Sequence, residues 1–257
     1  MLSLRQVTLE VAQYSWFGTK RWLPLVQDIS FNVTPGEMVA LVGGSGEGKS
    51  LLLQCLLDLL PENLRFHGDI ILDGDKLNSD SMRVYRGNQF CYIPQSVQAL
   101  NPLHNVESHL SRWYSLSGKH PNTMQIEQLL HRNQLETDIL RAFPRQLSGG
   151  MAKRILASHA SFSRARYILA DEVTAWLDIT LARQILNHLR NLCEQGKAVI
   201  WVAHDLTLAA QYADRIVALH QGKLSDNVSR EQLVRGDVSE WLQRQWQCLP
   251  EHNQLFV

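Results

Sequence analysis

The sequence carries no surplus of either charge: 25 Lys plus Arg face 25 Asp plus Glu, a formal net charge of zero. Nucleic-acid binders usually carry a basic excess, so no nucleic-acid partner is expected. No apolar run approaches the ~20 residues that span a bilayer. A membrane role would therefore go through a docked partner. Met1 leads straight into polar and charged positions, and no signal peptide is expected. The four cysteines, Cys55, Cys91, Cys193 and Cys248, are far apart and form no CxxC pair. That spacing excludes a zinc site, an iron–sulfur site and a disulfide framework, and leaves reduced thiols. Internal repeats and low-complexity segments are missing as well.

What is present is ordinary globular composition over 257 residues, 45% of them hydrophobic and 19% charged. That length supports a sizeable buried core. Strands are expected at Leu2 to Val11 and Leu25 to Val33, with a loop or hairpin over Tyr14 to Trp22. Short apolar runs at Met38 to Val42, Tyr167 to Ala170 and Ala198 to Ala203 predict buried parallel strands. Gly68 to Leu72, Phe90 to Ile93 and Ile216 to Leu219 are further strand candidates. Helices are expected over Ser50 to Leu60, stopped by Pro61, and over Ile179 to Leu192. Pro102 to Gln146 is polar, with Ile126, Leu129 and Leu130 at helical spacing, and reads as a mainly helical insertion. Ser229 onward reads as a helical tail with Trp241 and Trp246 packing on it. Strands alternating with helices argue for an α/β fold with a largely parallel sheet.

Gly43-Gly44-Ser45-Gly46-Glu47-Gly48-Lys49-Ser50 fits G-x-x-x-x-G-K-[ST], between a strand candidate and a helix candidate. A triphosphate is a dense anion. Glycines let the backbone curl so that successive N–H groups point inward, and the helix N-terminus ahead of Leu51 adds the positive end of its dipole. Lys49 supplies a cation for the β- and γ-phosphates, and the Ser50 hydroxyl is a ligand for Mg²⁺. The strand Tyr167 to Ala170 ends in Asp171-Glu172. An Asp at this place holds Mg²⁺ in P-loop ATPases, directly or from a second layer. Glu172 is placed to orient and deprotonate the attacking water.

Leu147-Ser148-Gly149-Gly150-Met151 separates this chain from kinases, GTPases and motors. It resembles the ABC-transporter signature, which usually ends in Gln. Gln95, in Tyr92-Ile93-Pro94-Gln95, resembles the Q-loop; Trp176-Leu177-Asp178 resembles the D-loop; His204 resembles the switch histidine. The resemblance covers residues 2 to 225. It implies a P-loop NTPase (RecA-like) core with an antiparallel β-subdomain and an inserted α-helical subdomain. The expected division is an ATPase domain over 1–228, with the helical subdomain at 96–160, and a helical tail over 229–257.

The resemblance further implies ATP and Mg²⁺ held between two head-to-tail subunits. Ser148, Gly149 and Gly150 would then touch the γ-phosphate bound by the other subunit, Asp178 would lie at the interface, and His204 would link the γ-phosphate to the catalytic carboxylate. Gln95 would serve both as a ligand near Mg²⁺ and as the hinge to the insertion, which receives a short permease helix. Tyr14 is the chosen aromatic for stacking on adenine, with Trp16 and Phe17 as rivals. Met151, Val173, Trp176 and Ala152-Lys153-Arg154 depart from the family pattern, while Lys49, Asp171, Glu172 and His204 are retained.

The Ser-Gly-Gly-Met signature and Asn101-Pro102-Leu103-His104 resemble the dipeptide, oligopeptide and nickel importer group. The short chain, without a cysteine-bearing C-terminal extension, is closer to the nickel or metallophore members. Such a subunit would sit at the cytoplasmic face of the bacterial inner membrane. Its partners would be a second, usually different ATPase, two permeases and, indirectly, an extracytoplasmic binding protein. His104, His109, His120 and His131 are scattered and read as surface or core residues rather than cargo ligands. Two alternatives stay open. A soluble ABC ATPase of DNA repair or translation would usually bring a coiled coil or two fused cassettes, which this sequence lacks. A low-turnover nucleotide-binding regulatory subunit is motivated by Val173 and Trp176.

Overall fold

The computed structural model describes residues 1–15, 18–118 and 122–249. One ten-stranded sheet organises them. Strands β1 (Leu2–Tyr14) and β2 (Lys20–Val33) pair antiparallel, with Gly18 turning the chain between them. Trp16 and Phe17, the rivals for adenine stacking, lie outside the described residues, as does His120. Strands β4 (Leu64–Leu72) and β5 (Asp75–Lys76) extend this antiparallel wing on the other edge of β1.

The parallel part of the sheet contains β3 (Met38–Gly43), β6 (Phe90–Ile93), β7 (Tyr167–Asp171), β8 (Ala198–Val202) and β9 (Arg215–His220). Here β3 lies between β9 and β8, and β7 lies between β8 and β6, all parallel. Strand β10 (Lys223–Ser229) runs antiparallel to β9 and touches β2 at Lys223 and Gln27, joining the two halves.

The continuous apolar runs follow from burial on both faces. Met38, Ala40 and Val42 enter one core cluster, while Val39 and Leu41 enter the other. Helix α1 (Lys49–Leu56) covers the second face with Leu52, Leu53 and Leu56. It is shorter than the sequence suggests. Asp58 takes φ 51 and Leu59 N–H returns to the Gln54 carbonyl, so the chain leaves the helix before Pro61; Asp tolerates that left-handed geometry better than most residues. Helix α2 (Ser79–Tyr85), closed by an Asn78 capping box, leads into β6.

On the first face lie α3 (Val106–Leu116), α4 (Thr123–Arg132), α5 (Gly149–Phe162) and α6 (Ile179–Glu194). Two short 3₁₀ turns, Thr137–Arg141 and Pro144–Gln146, join α4 to α5. Ile126, Leu129 and Leu130 are buried together, as their spacing requires. Helices α7 (Leu206–Tyr212), α8 (Arg230–Arg235) and α9 (Glu240–Gln247) close the same core, with Leu233, Leu242 and Trp246 inside it. Three of the four cysteines are buried and all are free; burial pushes the Cys55 and Cys193 thiols up to about 12, so they stay protonated.

Candidate active site

The loop between β3 and α1 carries the phosphate-binding motif. Gly48 caps α1 at φ 83, and a Cβ there would strike Val26 Cγ2, so only glycine lets the loop close onto β2. Lys49 is only 4% exposed although it carries a charge. Its ammonium donates to the carbonyl oxygens of Gly43 at 2.9 Å and Gly44 at 2.6 Å, which holds it against the loop. Burial lowers the Lys49 pKa, opposed by the nearby charges of Glu172, Glu47 and Asp171. Ser45 and Gly46 form the exposed crest of the loop, and Leu51 sits half-buried in the first turn of α1.

Asp171 ends β7 and is 2% exposed. Ser50 Oγ donates to its Oδ1 at 2.7 Å, and the Tyr92 hydroxyl donates to its Oδ2 at 2.9 Å. Burial raises the Asp171 pKa, while these two hydrogen bonds and Lys49 lower it. The hydroxyl of Ser50 and the carboxylate of Asp171 thus form a hard oxygen pair, the donor set a Mg²⁺ ion prefers. Burial, then the Asp171 charge and the hydrogen bond to it, raises the Tyr92 pKa against a smaller opposing effect of Gln54, so Tyr92 remains a donor.

Glu172 leaves the strand with φ 46, a left-handed turn that swings its side chain away from the strand line. Its Oε1 lies 2.6 Å from His204 Nε2, at the end of β8, and its Oε2 accepts from Gln95 Nε2. Three distant segments therefore meet at one carboxylate. Lys153 of α5 donates to the carbonyls of Glu172 and Ala175 and braces this turn. Val173 is buried in the core, which accounts for an apolar residue at that position. Trp176 has φ 63 and is 97% exposed. A cavity of about 570 Å³ opens beside the Glu172–His204 pair, reaching Trp176, Arg183 and Leu249.

The signature residues open helix α5. Ser148 caps α5, its Oγ accepting from Met151 N–H at 3.2 Å, and Gly149 and Gly150 form the first turn. Gly150 packs so closely on Leu181 that a Cβ would collide at 2.7 Å. Asp178 caps α6 through Leu181 N–H at 2.9 Å. Among the described residues no hydrogen bond joins 148–150 to the phosphate loop. Tyr14, at the end of β1, is 64% exposed, with the Lys20 ammonium 5.9 Å from its ring centre.

Tyr92 and Lys153 join the site without any motif that marks them. Tyr92 sits in the Tyr-Ile-Pro-Gln segment, where alternation along β6 turns it to the Asp171 side. Lys153 lies one turn into α5, and only the packing of α5 against the loop after β7 reveals its role.

A buried P-loop beside an acidic strand end defines the class: a nucleotide-binding α/β ATPase fold. The ABC transporter family model matches residues 26–175. The chain belongs to the ABC transporter family and is an ABC-type ATPase cassette. It is 36% identical over 220 residues to a peptidoglycan transport ATP-binding protein of Agrobacterium fabrum, covering 81% of this chain and 40% of that one. It is 31% identical over 222 residues to a metal-staphylopine import system ATP-binding protein of Staphylococcus aureus, covering 82% of each. An oligopeptide transport ATP-binding protein of Lactococcus lactis subsp. cremoris is 32% identical, over 82% of this chain and 65% of its own length. The chain thus spans less than two thirds of two of these relatives. Among solved structures, a dimeric bacterial ABC transporter cassette superposes with a TM-score of 0.72 at 26% identity, over 90% of this chain and 99% of that one. An ATP-binding subunit of an ABC transporter reaches 0.76 at 25% identity, over 95% and 98%.

Proposed function

We propose that this chain binds and hydrolyses ATP as one of two paired cassettes and drives an importer of metal–metallophore complexes, nickel, or di- and oligopeptides. The observation that carries the reading is the convergence of Gln95 and His204 on Glu172, next to an Asp171 already paired with Ser50. The roles follow from the chemistry. Lys49 and the amides of residues 43–50 neutralise and orient the phosphates. Ser50, Asp171 and Gln95 provide oxygen ligands for Mg²⁺, which supplies positive charge to the phosphate oxygens when bound. Glu172 orients the attacking water and accepts its proton. His204 fixes the Glu172 carboxylate and faces the γ-phosphate. Tyr14 supports the adenine ring.

The N-terminus of α5, with Ser148, Gly149 and Gly150, presents amides and a helix dipole suited to an anion. With no hydrogen bond to their own chain's phosphate loop among the described residues, they act on the nucleotide of a second cassette, with Asp178 at that interface. The second cassette is read as a different chain. The helical insertion, 96–160, receives a helix from one of two permeases, and an extracytoplasmic binding protein delivers cargo to them. No helix among the described residues is long and apolar enough to cross a membrane; the chain is read as peripheral, at the cytoplasmic face. The metal branch is favoured by the Staphylococcus relative, which matches over 82% of both lengths. Labelled-nickel uptake, with and without a metallophore, compared with labelled-dipeptide uptake in a strain lacking this chain, tests it: loss of dipeptide uptake alone moves the chain to the peptide branch.

A further inference from the structure

Glu47 is the one carboxylate within the phosphate loop, where a free anion would repel a triphosphate. Its side chain is turned elsewhere. Oε2 accepts from Gly222 N–H at 2.7 Å, and Oε1 lies 4.0 Å from His220 Nδ1. His220 in turn stacks on Trp241, with ring centres 4.6 Å apart and an interplanar angle of 18°. Trp241 belongs to the first turn of α9, and the start of that helix is pinned. Ser239 gives its N–H and its hydroxyl to the two oxygens of buried Asp226 on β10, both at 2.6 Å.

The turn that holds Glu47 is itself fixed to β2. The Gly222 carbonyl accepts from Gln27 N–H at 2.7 Å, and a Cβ on Gly222 would strike the Leu25 carbonyl. Direct contacts therefore run from α9 through Trp241, His220 and Glu47 into the phosphate loop.

We infer that Glu47 is a positioning residue of the phosphate loop and that His220 and Trp241 hold it, so that helix α9 sets the affinity for ATP. The inference rests on the nucleotide-binding reading of the site. Held by the Gly222 amide, with the His220 imidazole packed beside it at 4.0 Å, the carboxylate anchors the loop and keeps its charge off the phosphates. Released from His220, it loses one holding partner and swings toward the anion.

The test is MgATP binding to the full chain, with a double-mutant comparison in the Glu47→Gln background, where the amide oxygen still accepts from Gly222 but carries no charge. His220→Ala and Trp241→Ala should each weaken MgATP binding by about twofold to fivefold, the range of a weak, partly exposed polar contact. In turnover assays the change should fall on KM rather than kcat. In the Glu47→Gln background the same substitutions should have less than about a third of that effect in logarithmic terms. Trp241→Phe, which keeps a flat ring over His220, should recover most of the affinity. Should Trp241→Ala not fold, His220→Ala carries the same comparison. Wild-type affinity in His220→Ala and Trp241→Ala overturns the inference, as does an equal loss in both backgrounds. If wild-type binds and Lys49→Ala does not, such a result removes this inference alone. If the wild-type chain does not bind MgATP, the nucleotide reading falls and takes the inference with it.

Discussion

Glu172 Oε1 and His204 Nε2 lie 2.6 Å apart, although the two residues come from the ends of different strands, β7 and β8. The left-handed turn at Glu172 makes the meeting possible, because an extended residue there would continue the strand line. On the proposed reading Glu172 is the group that takes the proton of water. Glu172→Gln keeps the shape and removes the base. Phosphate release should fall by about 10²–10⁴-fold, while MgATP binding persists. Unchanged turnover would remove Glu172 from the catalytic role.

Lys49 is a buried cation held by two carbonyls of its own loop. On the proposed reading its Ala variant loses the side chain that neutralises the phosphates, and a charge-assisted contact contributes on the order of 1.5–3 kcal/mol. Nucleotide affinity should drop by at least about tenfold in equilibrium binding. An affinity equal to wild type would contradict the phosphate-loop reading.

Ser148 caps α5, and among the described residues no hydrogen bond joins it to its own chain's phosphate loop. Ser148→Arg should leave MgATP binding to the isolated chain intact and block ATP-dependent pairing of cassettes, read by size-exclusion chromatography in the Glu172→Gln background. Pairing that survives would contradict the shared-site arrangement.

The order in which these residues were legible follows from the range of the interactions. The phosphate loop is a contiguous motif, and its glycine, lysine and serine positions state their chemistry locally. The apolar runs of β3, β7 and β8 are short, flanked by turn residues and buried on both faces, so they read directly as interior strands. Strand β10 carries no strand signal in its sequence, because Lys223, Ser225, Asp226 and Asn227 give it a polar composition; the buried Asp226 meets Ser239 there. Helix α1 ends before the apolar pattern does, because nothing in Leu59-Leu60 announces that Asp58 leaves the helix. The contact of Tyr92 with Asp171 joins residues 79 positions apart and depends on the pairing of β6 with β7.

His159 supplies the pH dependence. It is enclosed by Cys91 Sγ at 3.7 Å on β6 and the Trp113 ring at 4.8 Å on α3, with Lys197 nearby before β8. Burial first, then the Lys197 charge, pushes its pKa down to about 4 from an ordinary 6.5. Burial also lowers the pKa of His188 on α6. Between pH 6.5 and 4 the unfolded chain binds the proton that the folded chain refuses, so stability is full above that window and is lost as pH falls through it. Urea midpoints should decline across this range, and His159→Gln should flatten the decline. A midpoint that holds steady from pH 6.5 to 4 in the wild type would contradict the burial of a neutral imidazole.

The central claim is that ATP hydrolysis by this chain powers import. It is tested most directly by labelled nickel–metallophore uptake in a strain lacking the chain, complemented with wild type or with Glu172→Gln at equal abundance. Wild type should restore uptake and Glu172→Gln should not. Equal restoration by both would contradict the claim.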